Sequence, residues 1–403
     1  MKNKTFYYLL LLSCIFGLHA CDKDDNIKTT VYTLSLTAPD GLNDALLSDL
    51  NVSFKNTNTT RTITSGDFTE NKITLSLPEG LYTVSVEGKI QYTMDQKVME
   101  GTVKGYKESV YIAGETNQAT LPLFLHDAKA NFVIEEVFFV GNITPEGDVY
   151  DGDQYLKIYN NSDTILYADG LVILESAFLT STKYEYDPDI MSTHFAVTAV
   201  YKIPGNGNEH PVNPGESILI CDIGKNHSQT NPNSFDLSNA DFEWFDEGTN
   251  DVDTPVPNME KIYCSSKTIW TMHKQGLKAY AIGRLGVDKE TFLQNYKYDY
   301  NYTMVLPGGT YPMSNSAYKI PNEWIIDAVN VSNVSQYVWN VTAPTLDTGW
   351  TYCAEIKNDN DRYGKSIKRK TLSTTSDGRK ILKDTNNSTN DFEAKATPTL
   401  KRN

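Results

Sequence analysis

The chain has 403 residues, of which 36 are Lys or Arg and 51 are Asp or Glu, so its formal net charge is −15 at pH 7. A chain this acidic repels nucleic acids and anionic lipid headgroups, so we expect no nucleic acid among its partners. Its length predicts two or three domains.

The first 20 residues have the parts of a secretion signal. Lys2 and Lys4 form a short basic region, and residues 6–18 are almost wholly apolar. This apolar run is shorter than the roughly 20 residues that a membrane-spanning helix needs. It is typical of a signal peptide that is removed from the mature protein.

The signal ends at a cysteine. Leu18-His19-Ala20-Cys21 places a small residue directly before the cysteine and resembles the lipobox of bacterial lipoproteins. The resemblance implies lipid on the Cys21 sulfur and cleavage that leaves Cys21 as the first residue. The alternative is an ordinary signal peptide with a chance cysteine. No later apolar run is long enough to cross a membrane, so the lipid is the expected membrane anchor.

Residues 21–29 form an acidic tether after the anchor. Its first part, Asp22-Lys23-Asp24-Asp25, resembles the Lys-plus-acidic export signal of surface lipoproteins in the Bacteroidota. The resemblance implies a protein of the outer membrane that faces the cell exterior. The alternative is a generic solvated linker.

Residues 30–127 are predicted to form a small β-sandwich. Four segments alternate apolar and polar residues, as strands with one buried face do, namely 31–36, 50–54, 73–77 and 82–86. Pro78 and Gly80 predict a turn between the last two segments. This turn resembles the Pro-x-Gly-x-Tyr turn of β-sandwiches of prealbumin or carboxypeptidase-regulatory type. The resemblance implies a spacer that lifts the next domain off the membrane.

Residues 128–403 contain strand and turn segments in a distinctive order. The segments lie at 132–137, 153–163, 168–173, 214–220, 325–329 and 364–398. Their order and spacing resemble the lamin-tail domain, an immunoglobulin-like sandwich of many bacterial secreted proteins. Leu171 and Lys157 stand where that family usually has Trp and Glu. The resemblance implies an interaction or scaffold module without an active site.

Four polar residues near the C-terminus are predicted to have structural roles. Ser366 and Arg369 can tie a closing strand, and Asp384 and Asn387 suit a tight Asx-type turn. Sustained helical periodicity is nearly absent from the chain. The predicted fold class is therefore mostly β, and the resemblances of the two modules imply two immunoglobulin-like β-sandwiches in tandem, the second with long insertions.

The insertions are predicted near 180–212 and 225–320, because the second module is much longer than a plain domain of its kind. Long insertions on a rigid scaffold often carry function. The candidate binding residues there are Trp244, Phe245, Asp246 and Trp270. Exposed aromatic rings beside carboxylates suit sugar stacking or a protein contact. The alternative is a second small core that packs on the sandwich.

Catalytic and metal-binding motifs are weak or missing. Asp148, Asp151 and Asp153 could approach a Ca²⁺ ion, but they lack the order of an EF-hand. The histidines are scattered, and no nucleophile or phosphate-loop motif occurs. We therefore predict no enzyme, no catalytic residue, no metal and no cofactor. After Cys21 the chain keeps three cysteines, which allow one disulfide at most or act as buried small hydrophobes.

Taken together, the lipobox, the tether and the two modules resemble Bacteroidota outer-membrane lipoproteins without assigned function. Such families are often accessory to TonB-dependent transporters, which implies a transporter or another surface lipoprotein as partner. The first functional hypothesis is a non-enzymatic binding subunit for nutrient or iron uptake. The second is an adhesive or scaffold surface protein that binds host or matrix protein or glycan. An open aromatic groove would favour the first, and a large apolar patch would favour the second.

Overall fold

The computed structural model describes residues 28–39, 43–94, 97–114, 117–126 and 132–400. Strands make up 49% and helices 6% of the structure, which confirms the predicted mostly-β class. Within these ranges no helix is both long and apolar enough to cross a membrane. The signal peptide and most of the acidic tether lie outside the described residues.

The N-terminal region consists of two sheets. Its strands are β1 (Thr29–Thr37), β2 (Asn43–Asn56), β3 (Thr62–Ser65), β4 (Lys72–Pro78), β5 (Gly80–Met94), β6 (Lys97–Ile112), β7 (Gln118–Pro122) and β8 (Phe124–His126). The order β4-β1-β7 gives a three-stranded sheet, and the order β3-β2-β5-β6-β8 gives a five-stranded sheet. The four strands predicted from alternation lie within β1, β2, β4 and β5, so they are confirmed.

The predicted turn at Pro78 carries the chain from one sheet to the other. Pro78 ends β4 in the smaller sheet, and Gly80 begins β5 in the larger one. The Tyr82 hydroxyl donates a hydrogen bond of 2.7 Å to the Pro78 carbonyl, which fixes this corner. Apolar residues from both sheets, such as Leu34 and Phe54, share one buried core. The limits proposed for this domain, 30–127, stay a prediction.

The C-terminal region is larger. Its strands are β9 (Phe132–Phe138), β10 (Asn142–Ile143), β11 (Val149–Tyr150), β12 (Tyr155–Asn160), β13 (Leu166–Tyr167), β14 (Leu171–Ser176), β15 (His194–Lys202), β16 (Pro211–Val212), β17 (Ser217–Cys221), β18 (Phe242–Glu243), β19 (Glu260–Cys264), β20 (Ala279–Arg284), β21 (Lys297–Leu306), β22 (Gly309–Pro321), β23 (Ile325–Ser332), β24 (Thr351–Tyr352), β25 (Ser366–Arg369), β26 (Thr371–Thr374), β27 (Lys380–Leu382) and β28 (Phe392–Ala396). The α-helices are α1 (Lys289–Asn295) and α2 (Ser388–Asp391), and short 3-10 helices span His227–Gln229, Asn322–Trp324 and Asn360–Arg362.

Two large sheets face each other across the main core of this region. One has six strands in the order β18-β17-β12-β9-β25-β28, and the other has the order β21-β22-β15-β14-β20-β23-β24, with β19 paired to β15. Side chains from both sheets form one cluster, which includes Ile134 and Leu156 from the first sheet and Ile173 and Ile282 from the second. The arrangement is a β-sandwich, as predicted for this region in outline.

A second core covers the outer face of the larger sheet. Every residue of β14 is buried, as expected for a strand that is packed on both faces. Its outward residues, such as Leu174, cluster with Phe292 of α1 and Tyr298 of β21. The long connections after β14 and β20 therefore fold onto the sandwich and complete its outer layer. The cleft described below lies in this layer.

Two of the polar residues near the C-terminus make hydrogen bonds that fit the structural roles predicted for them. The Ser366 hydroxyl donates a hydrogen bond of 2.6 Å to the buried Glu136 carboxylate and so ties β25 to β9. The side chain of Asn387 accepts a hydrogen bond from the backbone N–H of Asn390 and caps α2. Both contacts agree with the predicted tie and turn. Cys221, Cys264 and Cys353 are free thiols, so none of the described residues forms a disulfide.

Candidate binding site

Cys21, the predicted lipidation site, lies outside the described residues. Lipidation at Cys21 therefore stays a prediction. The other predicted site residues, Trp244, Phe245, Asp246 and Trp270, are all described by the structure.

Trp244, Asp246 and Trp270 come together inside the sandwich. The two indole rings lie 5.1 Å apart, and Trp270 also stacks on Tyr201 at 5.0 Å. The Asp246 carboxylate accepts hydrogen bonds from the Trp270 backbone N–H at 2.5 Å and from the Tyr201 hydroxyl at 2.8 Å. It also pairs with the Lys261 ammonium at 2.6 Å. Trp244 is 0% exposed and Trp270 is 5% exposed.

The expected exposure of these rings is therefore wrong, and the reason is an unforeseen strand. Phe242 pairs with Ile220, so that β18 extends the six-stranded sheet beyond β17. Phe242 and Trp244 then lie on the face that points into the main core. Among the four described residues of the predicted set, Phe245 alone is half-exposed. The binding role of this segment stays a prediction, but the two Trp rings on whose exposure it depended are buried.

Buried carboxylates near this segment hold loops in place. The Glu243 carboxylate accepts hydrogen bonds from the backbone of Gly224 at 2.7 Å and of Thr254 at 2.9 Å. Asp153 accepts from the Asn142 amide at 2.7 Å and from the Ser234 hydroxyl. Burial raises the pKa of Asp153 to about 6. These contacts are internal to the fold, and neither carboxylate lines the cleft described below.

Among the described residues, one group has the composition and spacing to hold a metal ion. Ligand atoms of Asp169, Glu209 and His210 lie within 4.8 Å of one another. The Asp169 carboxylate, however, already accepts backbone hydrogen bonds from Gly207, Glu209 and His210. This carboxylate therefore anchors the loop before β16. Asp148, Asp151 and Asp153 form no such group.

An open cleft lies in the outer layer, between residues 183–192 and residues 337–348. Its volume is about 560 Å³, within the range of about 300–1,000 Å³ for small-molecule sites. The first segment belongs to the connection between β14 and β15, and the second follows β23. Aromatic residues and polar residues both line the cleft.

Tyr186 is the centre of the aromatic framework. Its ring stacks on Phe178 with 3.9 Å between centroids and lies 6.2 Å from the Trp339 ring at an interplanar angle of 27°. Burial, followed by the nearby tyrosines, raises the pKa of Tyr186, so the phenol is neutral. Next to it, the Tyr184 ring lies 4.7 Å from Tyr302 of the β21–β22 hairpin. Because Tyr184 and Trp339 are half-exposed, part of this framework faces the cleft.

Hydrogen bonds hold the two walls of the cleft in position. The Trp339 indole N–H donates to the carbonyls of Leu179 and Thr182, both at 2.9 Å, and so links the second wall to the first. Tyr337 stacks on Trp350 at 4.3 Å. Its hydroxyl lies 3.0 Å from the Asn340 amide oxygen. The cleft is therefore largely pre-formed, as small-molecule sites commonly are.

Charges at the cleft are mixed but mainly negative. Glu185 and Asp189 line it with exposed carboxylates. Lys183 is the cation at this place, and its ammonium lies 5.5 Å from the centre of the Trp339 ring. That distance is within the range of a cation–π contact. The protein's own lysine therefore occupies the position that a cationic ligand would take above this ring.

The β21–β22 hairpin extends the aromatic surface away from the cleft. Tyr302 pairs with Met313, and Met304 pairs with Tyr311, so these four side chains share one face of the hairpin. Nearer the body of the protein, the same face buries Tyr300 against Phe178 and Tyr186. Towards the tip it is open, and the Tyr311 side chain is 43% exposed. An apolar strip thus runs from the cleft along the hairpin.

The sequence alone does not point to this cleft. Residues 183–187 read Lys-Tyr-Glu-Tyr-Asp, which is the same interleaving of aromatic and charged residues that drew attention to residues 242–247. The first segment lies within the predicted insertion at 180–212, but residues 337–348 lie outside both insertions. The pattern of aromatic and charged residues was present in the first wall of the cleft, residues 183–192. Nothing in the sequence connected these residues to the second wall, residues 337–348.

The described residues form a mostly-β protein with an open cleft in its outer layer. Residues 213–399 match a family described as a protein of unknown function, DUF4876. The crystal structure of a DUF4876 family protein from Bacteroides thetaiotaomicron is similar, with 25% sequence identity and a TM-score of 0.56. The match covers 93% of this chain and 97% of that chain.

A second solved structure is more remote. It is described as a "putative cell adhesion protein" from Bacteroides eggerthii, with 11% identity and a TM-score of 0.18 over 73% of this chain and 80% of that chain. A score this low supports no structural argument. None of the curated proteins matches the chain.

Proposed function

We propose that the protein is a non-enzymatic, lipid-anchored surface protein of the outer membrane that captures a ligand beside a TonB-dependent transporter. The single observation that carries the proposal is the open aromatic cleft between residues 183–192 and 337–348. An aromatic groove is what a binding subunit needs, because flat rings offer a large contact area at little entropic cost. Lipid on Cys21 would keep this groove at the cell surface.

The way the cleft is built supports a binding role. Its walls are connections laid on a rigid sandwich, and loops on a rigid scaffold are where binding residues commonly lie. The buried carboxylates Glu243, Asp246 and Asp153 are committed to hydrogen bonds inside the fold. The similarity to a DUF4876 protein is consistent with a surface protein of unknown function and indicates no enzymatic family.

An adhesive or scaffold role is the second candidate, and one observation favours it. The tip of the β21–β22 hairpin exposes Leu306 (47%) and Tyr311 (43%) on one face and Val305 (73%) on the other. Exposed apolar groups that lie together are typical of protein interaction sites. In this alternative the hairpin would hold a protein partner, and the cleft would be secondary.

Co-purification from detergent-solubilised outer membrane tests the proposal and separates the two roles. The wild-type protein should retain an integral outer-membrane transporter at near-equal amount, identified by mass spectrometry. A Leu306→Ser/Tyr311→Ser variant should retain it as well. Loss of the transporter in this hairpin variant alone would place the transporter contact on the hairpin, and the accessory role would stand. If neither protein retains a transporter, the accessory role is refuted.

A further inference from the structure

We infer that the cleft binds an uncharged, polyhydroxylated chain, a neutral oligosaccharide or polysaccharide, which continues onto the apolar face of the β21–β22 hairpin. This inference rests on the proposed function, because it assigns a ligand class to the same cleft.

The charges at the cleft disfavour an anionic ligand, and Lys183 already occupies the place above Trp339 that a cationic ligand would take. The exposed carboxylates of Glu185 and Asp189, in a chain with net charge −15, repel an anion. A cation would compete with the Lys183 ammonium, which already lies 5.5 Å from the Trp339 ring centre. The remaining class is a ligand without net charge.

The lining also disfavours a purely apolar ligand. Asn340, Thr348 and Ser192 line the cleft together with the carboxylates. Covering these groups with hydrocarbon would remove their water without replacing the lost hydrogen bonds. A sugar ring fits both parts of the lining, because its C–H face packs on an aromatic ring while its hydroxyl groups hydrogen-bond to amides, hydroxyls and carboxylates. Tyr184 and Tyr337 are two of the half-exposed rings that line the cleft, and they are in position for such stacking.

The hairpin indicates a ligand that is longer than the cleft. Its apolar face begins at Tyr302, which contacts Tyr184 of the cleft, and runs to Leu306 at the turn. Four residues of antiparallel strand span about 14 Å. From 300 to 318 no residue is charged, although the chain as a whole is strongly acidic. An uncharged strip of this length is suited to a chain of sugar rings that leaves the cleft along Tyr311 and Met304.

Binding to an array tests the ligand class. The lipidated mature protein, residues 21–403, in detergent micelles is applied to immobilised neutral polysaccharides with glucose, mannose, galactose and xylose backbones, to uronic-acid polysaccharides and to a peptide library. We expect retention by at least one neutral polysaccharide. Tyr184→Ala and Tyr337→Ala should each weaken it about tenfold, as the loss of an anchoring ring commonly does. The control Tyr111→Ala removes a ring that is 72% exposed in the N-terminal region and should bind like wild type.

A ladder of oligosaccharides from the retained polysaccharide tests the length. Wild-type affinity should rise with each added sugar until the hairpin is covered. Tyr311→Ala should leave the shortest oligosaccharides unaffected and abolish the gain for the longer ones. Equal loss at every length would place Tyr311 within the cleft contact and contradict the extended path.

Two failures are distinguishable. If only peptides or acidic polysaccharides are retained and Tyr184→Ala weakens their binding, the cleft is a binding site but the ligand class is wrong. If nothing that binds responds to Tyr184→Ala or Tyr337→Ala, both the ligand class and the proposed use of the cleft are wrong. Retention of no neutral polysaccharide overturns the inference in either case.

Discussion

The Arg369 guanidinium lies 2.5 Å from the Asp327 carboxylate in an ion pair whose side chains are 1% and 2% exposed. Arg369 belongs to β25 in the six-stranded sheet and Asp327 to β23 in the larger sheet, so the pair joins the two layers of the sandwich. Both side chains also bond Ile134 of β9. Asp327 accepts from its N–H at 2.6 Å, and Arg369 donates to its carbonyl at 2.8 Å.

Removal of either residue of this ion pair should lower the free energy of unfolding, because the charge of the other residue is left buried and unpaired. We expect Arg369→Met to lower the free energy of unfolding by about 3–5 kcal/mol. Lys370→Met, at the exposed neighbouring position, is the matched control and should cost much less. Urea unfolding of both variants measures the difference. Equal stability of the two variants would show that the ion pair does not hold the sandwich together.

Trp244→Ala should behave as a core substitution. Trp244 is fully buried between the sheets and contacts Trp270, so its loss should cost about 3–5 kcal/mol of stability. Phe245→Ala, at the half-exposed neighbour, should cost clearly less. Thermal unfolding of both variants is the measurement. An unchanged melting temperature for Trp244→Ala would restore the hypothesis that this ring is a surface anchor.

The buried Asp153 predicts a pH dependence of stability. Burial raises its pKa from an ordinary 3.8 to about 6 in the folded protein, so folding favours the protonated form. Its contribution to stability is therefore fully present below about pH 4 and is lost as the pH rises through about 6. Asp153→Asn keeps an acceptor for Asn142 and Ser234 but cannot ionise.

The comparison is the difference in unfolding free energy between Asp153→Asn and wild type at several pH values. We expect the difference to shift in favour of the variant by about 2–3 kcal/mol between pH 4 and pH 7.5. Other buried carboxylates titrate in both proteins and cancel. A difference that stays constant over this range would refute the raised pKa.

Lipidation at Cys21 predicts a defined mature chain. Protein extracted from membranes should have the intact mass of residues 21–403 plus acyl groups. Cys21→Ala should release the protein from the membrane fraction, because the lipid is the proposed anchor. A Cys21→Ala variant that still fractionates with membranes would contradict the prediction.

Much of the fold could be predicted from the sequence because short-range patterns determine it. The alternation at 31–36 and 73–77 reports strands with one buried face, and both strands are present. Polar residues singled out near the C-terminus also proved structural. Arg369 lies 3.2 Å from Asp384, and Ser366 ties β25 to Glu136. A buried charge such as that of Arg369 needs a polar or charged partner, and this requirement makes such a residue recognisable in the sequence.

The site could not be predicted in the same way, because it depends on contacts between distant parts of the chain. Phe242-Glu243-Trp244 is too short to show a strand period, and only its pairing with Ile220 turns Trp244 inwards. Likewise, the Trp339 indole reaches Leu179 across 160 residues of chain. Aromatic residues beside carboxylates occur in both places, and tertiary packing alone decides which set is buried.

Loss of ligand binding without loss of stability is the most direct test of the central claim, that the cleft between residues 183–192 and 337–348 is the binding site. The measurement is binding of the Tyr184→Ala/Tyr337→Ala double variant to the full array of neutral polysaccharides, acidic polysaccharides and peptides, with its melting temperature recorded in parallel. We predict that the ligand retained by wild type is lost while the melting temperature stays within a few degrees. Undiminished retention by a folded double variant would contradict the account.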